Sequence, residues 1–392
     1  MLTPEERRIR RWPVMHSVAI VGSLRTPVGL CDGQLKEYSE QKLSALVMAE
    51  VVKQAGISPG DTDEIIFGVA RQTSLPSNCA RHALLLAGFP DSIPAYTVQR
   101  QSASGLQAVA NACWAIRTGD ARIVVAGGAE SMSQTPVELH EARFAFDRSS
   151  RFIFNPIPAQ ERYAQPIGIY GEADTNEVAR RIAGRRGISD REQQEYAADS
   201  LAKARLETAG HILSIAVRKK KVTELMQYDE LSSAVPLLAL PADCAAAMAL
   251  MSIEEARSQG CMILGEIASV HIAAANPYEP ELAAQQAAAG ALAKTGISPD
   301  AISRIELHEM SAAQSLATIT EFSQAWGQEV AALARKTNRN GGSLATGSAW
   351  GAVGPVLLDK VLWGLRIMGG TYGLVVAPAE GGQAIAAVVK AH

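Results

Sequence analysis

The amino-acid sequence predicts an α/β protein built from two similar halves. Helical stretches rich in Ala and Leu alternate with short, continuously apolar segments. This pattern is typical of a sheet that helices cover on both faces. A six-residue motif also occurs twice, as QAGISP at residues 54–59 and as KTGISP at residues 294–299. Two copies so far apart in the chain indicate two α/β halves rather than a solenoid.

Each copy of the motif is followed by the same series: a β-type run, a turn rich in Gly and Ser, a helix and a buried strand. The β-type run, turn and strand are residues 64–68, 102–105 and 123–128 in the first half, and 304–308, 341–354 and 374–377 in the second. Equivalent turns of two packed halves meet near a pseudo-twofold axis. We therefore expect residues around 102, 308, 348 and 378 to converge.

The stretch between the halves has a different character. Residues 134–176 are rich in Pro and other turn formers. Residues 190–209 have the mixed charges of an exposed helix, and residues 218–221 are a basic run. Such a run is typical of a solvated face, and a site for the phosphate of an acyl carrier is the alternative. The predicted parts are an N-terminal extension at 1–16, an N-terminal half at 17–132, an insert at 133–260 and a C-terminal half at 261–392.

Composition and charge argue against several classes of protein. The 392 residues carry a formal net charge of -3, so no basic field for nucleic acid is evident. The longest apolar runs are too short to span a bilayer. The five cysteines form no C-x-x-C pair, so neither a metal site nor a disulfide framework is expected. We expect a cytoplasmic protein, and an organelle address in the first 15 residues is the alternative left open.

Residues 96–108 are the most informative segment for function. An apolar strand enters a sharp turn of small residues, and an amphipathic helix follows. Such a turn brings one side chain, here that of Ser102, to a helix N-terminus, where backbone N–H groups and the helix dipole favour negative charge. This is a suitable position for a nucleophile.

Several stretches of the chain, in order, resemble the thiolase family. They are residues 24–29, the turn around Ser102, and residues 126–133, 187–194, 307–314, 340–354 and 372–376. The resemblance implies a thiolase-like fold with two pseudo-equivalent five-layered α-β-α-β-α halves and an inserted loop domain that covers the substrate. It also implies an acyltransferase that acts on acyl-CoA or another acyl thioester, with coenzyme A entering as substrate and no resident cofactor. A homodimer or homotetramer is implied too, because residues 96–101 and 78–88 resemble the family's dimer elements.

The chemistry-bearing positions differ from the family pattern. The resemblance implies a nucleophilic cysteine at Ser102 and a histidine base in the turn that reads Gly347-Ser348-Ala349. It implies a second cysteine in a Cys-x-Gly turn, where this chain has Pro378-Ala379-Glu380. The polar residue that opens the family's His-Glu-x-x-Ala motif is retained as His308, and it helps to form an oxyanion hole in the family.

These differences predict impaired or absent thiolysis and Claisen condensation. A thiolate forms near neutral pH, whereas a serine hydroxyl needs an adjacent general base. Ser348 is not basic, and Pro378 has no titratable side chain. The segment that precedes residues 243–247 is also shorter than in the family, where it contributes to coenzyme A binding, so that binding is in question as well.

Two interpretations stay open from the residues. In the first, Ser102 is the nucleophile, His308 is the base, and Glu309 or Glu380 orients the base. The acyl group would then pass through a serine ester to an alcohol, an amine or water. In the second, the protein is catalytically inactive, either as a partner subunit of an active thiolase or as an acyl-ligand binding protein. Ser102 is then a small turn residue, and His308 is an inherited structural one.

Overall fold

The computed structural model describes residues 18–72, 75–139, 153–206, 209–219 and 222–392. The expected N-terminal extension, residues 1–16, lies outside the described residues. The same holds for residues 140–152 of the turn-rich stretch and for residues 220 and 221 of the basic run.

Strands and helices alternate along both halves. The strands of the described residues are β1 Val18–Arg25, β2 Gly29–Leu30, β3 Glu64–Gly68, β4 Ala95–Val98, β5 Ile123–Ser131, β6 Glu138–Leu139, β7 Ile153–Phe154, β8 Ile215–Lys219, β9 Val222–Met226, β10 Ala242–Ser252, β11 Gly265–Ala274, β12 Ile302–Leu307, β13 Tyr372–Ala379 and β14 Gln383–Ala391. The α-helices are α1 Glu40–Ala55, α2 Cys79–Leu86, α3 Ser104–Thr118, α4 Pro156–Arg162, α5 Ile167–Tyr170, α6 Thr175–Arg186, α7 Asp190–Leu206, α8 Ile253–Ser258, α9 Pro280–Thr295, α10 Ala312–Trp326, α11 Val330–Lys336, α12 Ser343–Thr346 and α13 Val353–Met368. Short 3₁₀ helices lie at Pro59–Asp61, Pro299–Ala301 and Trp350–Ala352.

The two halves repeat one strand topology. The strand order is β4-β3-β5-β10-β1 in the first half and β12-β13-β14-β11 in the second, and β1 pairs with β11 to join them. In the first half β3 runs parallel to β5, which pairs antiparallel with β10. In the second half β12 runs parallel to β13, which pairs antiparallel with β14. A parallel bridge between Ile305 and Thr337 stands where the first half has the β3–β4 pair.

The repeated six-residue motif is a helix end. Gly56 and Gly296 close α1 and α9 in the left-handed conformation, with φ of 71° and 68°. Glycine adopts this conformation without a steric penalty. Pro59 and Pro299 then begin matching 3₁₀ turns that lead into β3 and β12.

Strand β10 lies between β1 and β5. It pairs with β1 along one edge and with β5 along the other, so it lies in the sheet of the N-terminal half. The predicted insert at 133–260 included this strand. Its sequence is mostly Ala and Met, which is compatible with helix or strand, and its distance from the other strands of its half hides its place in the sheet.

The five layers extend across both halves together. Helices α1 and α2 pack on the outer face of the first half, in a core that includes Leu43 and Phe67. Helices α9 and α10 pack on the outer face of the second half, in a core that includes Phe322. Helices α3 and α13 fill the middle layer, where Leu106 and Leu358 belong to one core. Both faces of each half-sheet are therefore buried, which explains the continuously apolar strands.

Glycines allow the middle-layer helices and their turns to approach closely. A Cβ atom on Gly105 would lie 2.3 Å from the carbonyl oxygen of Gly351 and 2.5 Å from Cδ of Pro355. A Cβ atom on Gly128 would lie 2.0 Å from the same oxygen of Gly351. The backbone of α3 thus touches the backbone at the start of α13, which sets the two equivalent turns side by side.

We expect Gly105→Ala to destabilise the protein by about 1–3 kcal/mol, because the added methyl group overpacks this contact. The matched control is Gly184→Ala, since Gly184 lies in α6 with nothing within 4 Å of its added Cβ. The control should gain up to about 1 kcal/mol from helix propensity. Urea unfolding measures both variants. A Gly105→Ala protein as stable as the control would contradict the close backbone contact.

Among the described residues, no helix is long and apolar enough to cross a membrane.

Candidate active site

The turn before α3 presents Ser102 in a constrained backbone. Gln101 has a φ of +46°, a left-handed conformation that is rare for a residue other than glycine. The side chain of Ser104 stabilises the turn by accepting from the Arg100 N–H at 2.8 Å and donating to the Gln101 carbonyl at 2.6 Å. Strain of this kind is concentrated at functional sites. Ser102 lies in this turn, just before the N-terminus of α3, as the sequence predicted.

Ser102 is bound to Glu380. The Ser102 hydroxyl lies 2.8 Å from both carboxylate oxygens of Glu380, and the Ser102 N–H donates to Oε2 at 3.1 Å. Burial raises the pKa of Glu380, although hydrogen bonds from its own backbone and from Ser102 oppose the shift. The Glu380 carboxylate thus occupies both donors that Ser102 offers, and Ser102 itself is 0% exposed.

His308 is bound to Ser348 and not to Ser102. Its Nδ1 lies 3.1 Å from the carbonyl oxygen of Pro378, and its Nε2 lies 3.0 Å from Oγ of Ser348. A carbonyl oxygen can only accept, so Nδ1 carries the hydrogen and Nε2 accepts from the Ser348 hydroxyl. Burial lowers the pKa of His308 to about 4. The imidazole is therefore neutral near pH 7 and Nε2 keeps its lone pair as a hydrogen-bond acceptor, while the same burial weakens His308 as a base.

Glu309 is not the orienting carboxylate that the sequence offered as one choice. Its two carboxylate oxygens are bound within 3.1 Å by the side chains of Tyr196, Ser200 and Asn338 and by the Leu344 N–H. The Pro378 carbonyl orients His308 instead. The side chains of His308 and Glu309, which follow β12, bind different groups. His308 binds the Pro378 carbonyl and Ser348, whereas Glu309 anchors α7 of the insert to the C-terminal half.

A cavity of about 230 Å³ lies beside these groups. Its lining contains the predicted site residues His308, Ser348 and Glu380, whereas Ser102 contacts it through Glu380. The remaining lining residues are Glu161, Asp174, Thr175, Asn176, Leu238, Ala239, Met310 and Trp350. The structure therefore brings the four predicted site residues together, but as two hydroxyl–acceptor pairs, Ser102 with Glu380 and Ser348 with His308.

Most of the cavity wall was not predicted from the sequence. Glu161 lies near Glu380, and burial together with that second carboxylate raises its pKa to about 7. Residue 161 sits in a turn-rich stretch with no motif to mark it. The segment from Leu237 to Pro241 is another part. It pairs with residues 310–312 and with Ser348, so this segment runs along the site.

None of the five cysteines is among the lining residues. Cys113 and Cys244 are fully buried, and burial raises the pKa of each thiol to about 12. Neither can supply a thiolate near neutral pH. In the part of the chain that the structure describes, no group of three or more His, Cys, Asp or Glu side chains is arranged to hold a metal ion. The available chemistry is that of hydroxyl groups beside proton acceptors.

Comparisons with known proteins match this architecture over both halves. The family model of the thiolase N-terminal domain matches residues 18–237, and that of the thiolase C-terminal domain matches residues 261–391. The crystal structure of the Bacillus anthracis acetyl-CoA acetyltransferase is similar, with a TM-score of 0.87 and 27% identity over 96% of this chain and 99% of that one. Human mitochondrial 3-ketoacyl-CoA thiolase gives a TM-score of 0.86 and 26% identity over 97% of this chain and 100% of that one.

Curated relatives agree with the structural neighbours. An acetyl-CoA acetyltransferase of Syntrophomonas wolfei is 30% identical over 96% of this chain and 99% of its own length. An acetyl-CoA acetyltransferase of Pseudomonas aeruginosa is 31% identical over 95% of this chain and 98% of its own length. The thiolase-like fold predicted from the sequence is confirmed, and this chain belongs to the thiolase family.

Proposed function

We propose that this protein handles acyl-CoA or another acyl thioester by acyl transfer to a serine, with ordinary thiolysis and Claisen condensation impaired or absent. One observation carries the proposal. Each equivalent turn presents a serine hydroxyl to a proton acceptor, Ser102 to Glu380 at 2.8 Å and Ser348 to His308 at 3.0 Å. The names of the relatives, acetyl-CoA acetyltransferase and 3-ketoacyl-CoA thiolase, support the substrate class. Coenzyme A enters as part of the substrate, and no resident cofactor is proposed.

A serine ester suits the groups at this site. A hydroxyl attacks a thioester when a neighbouring base takes its proton, and the resulting ester passes its acyl group to an alcohol, an amine or water. This route forms no carbanion, so it does not need an acid or base at residue 378. Carbon–carbon bond formation does need one, and Pro378 cannot supply it. The active site is in this sense degenerate, since Ser102, Ser348 and Pro378 stand where the family pattern has Cys, His and Cys.

A second candidate function is a catalytically inactive protein, either a partner subunit of an active thiolase or an acyl-ligand binder. A specific observation favours it. The Glu380 carboxylate accepts from the Ser102 N–H. Such a backbone N–H at a helix N-terminus is the kind of donor that would otherwise stabilise a developing oxyanion. While Glu380 stays there, Ser102 has neither an open donor nor an exposed hydroxyl.

We propose a homodimer or homotetramer in the cytoplasm, with a heteromer with an active thiolase as the alternative. Strand β4 is an edge strand whose four residues are each half-buried. The neighbouring helix α2 carries Leu85 and Leu86, which are 48% and 54% exposed. An unpaired edge beside exposed leucines is a surface that a second subunit would cover.

The test is acylation of the purified protein by acetyl-CoA and butyryl-CoA. We expect a burst of about one equivalent of free coenzyme A thiol per chain and a matching gain of one acyl group in intact mass. A thiol-specific dye and mass spectrometry measure the two quantities. The Ser102→Ala/Ser348→Ala double variant is the control and should show neither. Absence of both the burst and the mass gain in the unmodified protein would overturn acyl transfer and favour the inactive alternative.

A further inference from the structure

We propose that Ser348, rather than Ser102, is the nucleophile that the acyl thioester acylates, with His308 as its general base. The proposal rests on the proposed function and names the reacting group within it. Ser348 stands at the position where the family pattern has a base, so its assignment as nucleophile does not follow from the resemblance. Ser348 differs from Ser102 in its access to the cavity, in the direction of its hydrogen bond and in its surroundings.

Access favours Ser348. Both Ser348 and His308 line the cavity of about 230 Å³, so an acyl group held there meets the hydroxyl and its proton acceptor together. Ser102 does not line the cavity; since Ser102 is 0% and Ser348 3% exposed, the cavity lining rather than solvent exposure distinguishes the two serines. Glu380, which does line it, contacts the Ser102 hydroxyl through both carboxylate oxygens.

The hydrogen bond between Ser348 and His308 has a defined direction. The Pro378 carbonyl holds the hydrogen on Nδ1, so Nε2 presents its lone pair to the Ser348 hydroxyl. This is the arrangement of a nucleophile, a base and a group that orients the base. His308 is neutral near pH 7 because burial disfavours its charged form. Within the described residues, the Ser348 hydroxyl makes no other hydrogen bond, so its oxygen lone pairs stay available for attack.

The backbone fixes Ser348 in place. Its N–H donates to the Leu240 carbonyl at 2.7 Å, and its carbonyl accepts from the Ala242 N–H at 3.1 Å. Gly347 precedes it with a φ of +86°, and a Cβ atom there would lie 2.9 Å from Cβ of Ala242. The 3₁₀ turn that leads into α13 follows immediately. Residues 240–242 thus hold the backbone of Ser348 through its N–H and its carbonyl, and its hydroxyl lies against His308.

The chemistry balances with these groups alone and the thioester. The Ser348 oxygen bonds to the acyl carbon, the carbon–sulfur bond breaks, and the hydroxyl proton moves to Nε2 of His308 and then to the departing thiolate. The products are an acyl ester on Ser348 and a free thiol. In the second step an alcohol, an amine or water gives its proton to Nε2 and bonds to the acyl carbon. The carbon–oxygen bond to Ser348 then breaks, and the Ser348 oxygen takes the proton back.

The experiment compares Ser348→Ala with the matched variant Ser102→Ala, using butyryl-CoA as the probe. Intact-mass kinetics give the acylation rate, and peptide mapping gives the acylated residue. We expect the adduct on Ser348 in the unmodified protein and in Ser102→Ala. We expect at least about 100-fold slower acylation in Ser348→Ala, the size of a lost acid–base-assisted nucleophile. Thermal unfolding of both variants shows that they are folded.

Ser348→Cys provides a readout that a structural role would not give. The adduct on this variant becomes a thioester, which neutral hydroxylamine removes, whereas the ester on the unmodified protein resists it. An adduct mapped to Ser102, or retained at full rate in Ser348→Ala, would overturn this inference and leave acyl transfer standing. No adduct and no thiol release in the unmodified protein would instead overturn the proposed function.

Discussion

Purified protein is expected to cleave acetoacetyl-CoA with coenzyme A at no more than the background rate. Thiolysis by the family mechanism needs a thiolate, and no cysteine lines the cavity. It also needs an acid or base where Pro378 stands. Loss of one member of a coupled catalytic set removes roughly a million-fold of the rate in the best-studied serine enzyme. The loss of absorbance of the acetoacetyl-CoA enolate measures the reaction, and robust cleavage by the unmodified protein would contradict the proposed function.

The structure also predicts which restored variants regain thiolysis. Ser102→Cys alone should stay inactive, and so should Ser102→Cys/Ser348→His/Pro378→Cys. In both variants the Glu380 carboxylate remains beside residue 102, where it raises the pKa of a thiol and occupies the N–H of residue 102. Adding Glu380→Gly, the residue of the family's Cys-x-Gly pattern, removes that carboxylate. We expect this fourth change to raise the rate of the triple variant by about 100-fold or more, the value of one oxyanion donor.

Equal rates for the triple and quadruple variants would show that Glu380 does not block residue 102. The variant Glu380→Gly in the otherwise unmodified chain is the matched control. It still lacks a thiol, so we expect it to remain at background in the same assay. Together the four variants distinguish the effect of the missing thiol from the effect of Glu380 binding the N–H of residue 102.

The sequence predicted the fold well because the fold is repeated. The motif at 54–59 and 294–299 marks equivalent helix ends, and everything after it follows the same order in both halves. The predicted insert included β10, although β10 pairs with β1 and β5, and the reason is physical. A strand joins a sheet through backbone hydrogen bonds, which any sequence can make, so an Ala-rich strand that follows a long insert carries no local signal of its partners.

The site was predictable in its members but not in its pairings. Burial, turn geometry and the repeat brought Ser102, His308, Ser348 and Glu380 to one place, as the sequence suggested. Which hydroxyl meets which acceptor depends on side-chain directions over a few ångströms. The sequence paired Ser102 with His308, whereas each of them has another partner. Glu161 escaped notice because only the folded chain brings it near Glu380.

A buried charge network joins the insert to the two halves. Arg25 is 0% exposed and donates to both carboxylate oxygens of Asp229, at 2.6 and 2.9 Å, and to the Ala209 carbonyl. Its Nε lies 3.8 Å from the buried carboxylate of Asp359 in α13. Asp359 in turn accepts from His211 at 2.7 Å. A single guanidinium therefore holds β1, α13 and two points of the insert together.

We expect Arg25→Met to lower the free energy of unfolding by about 3–5 kcal/mol, because it removes the guanidinium from the buried carboxylate of Asp359 and from that of Asp229, whose side chain is only 10% exposed. Lys53→Ala is the matched control. Lys53 pairs with Glu50 on the surface and is 76% exposed, so its loss should change stability by no more than about 0.5 kcal/mol. Urea unfolding followed by circular dichroism measures both.

The double variant Arg25→Met/Asp229→Asn tests the cause of the loss. If stranded charge is responsible, removing one carboxylate should recover about 0.5–3 kcal/mol of the stability that Arg25→Met costs, the range of coupling seen for residues in direct contact. If lost packing of the long Arg25 side chain were responsible, the second change would recover nothing.

The same network positions the N-terminal part of α13, which follows Ser348. A variant that weakens the network should therefore also slow acylation at residue 348, and one that restores stability should restore the rate with it.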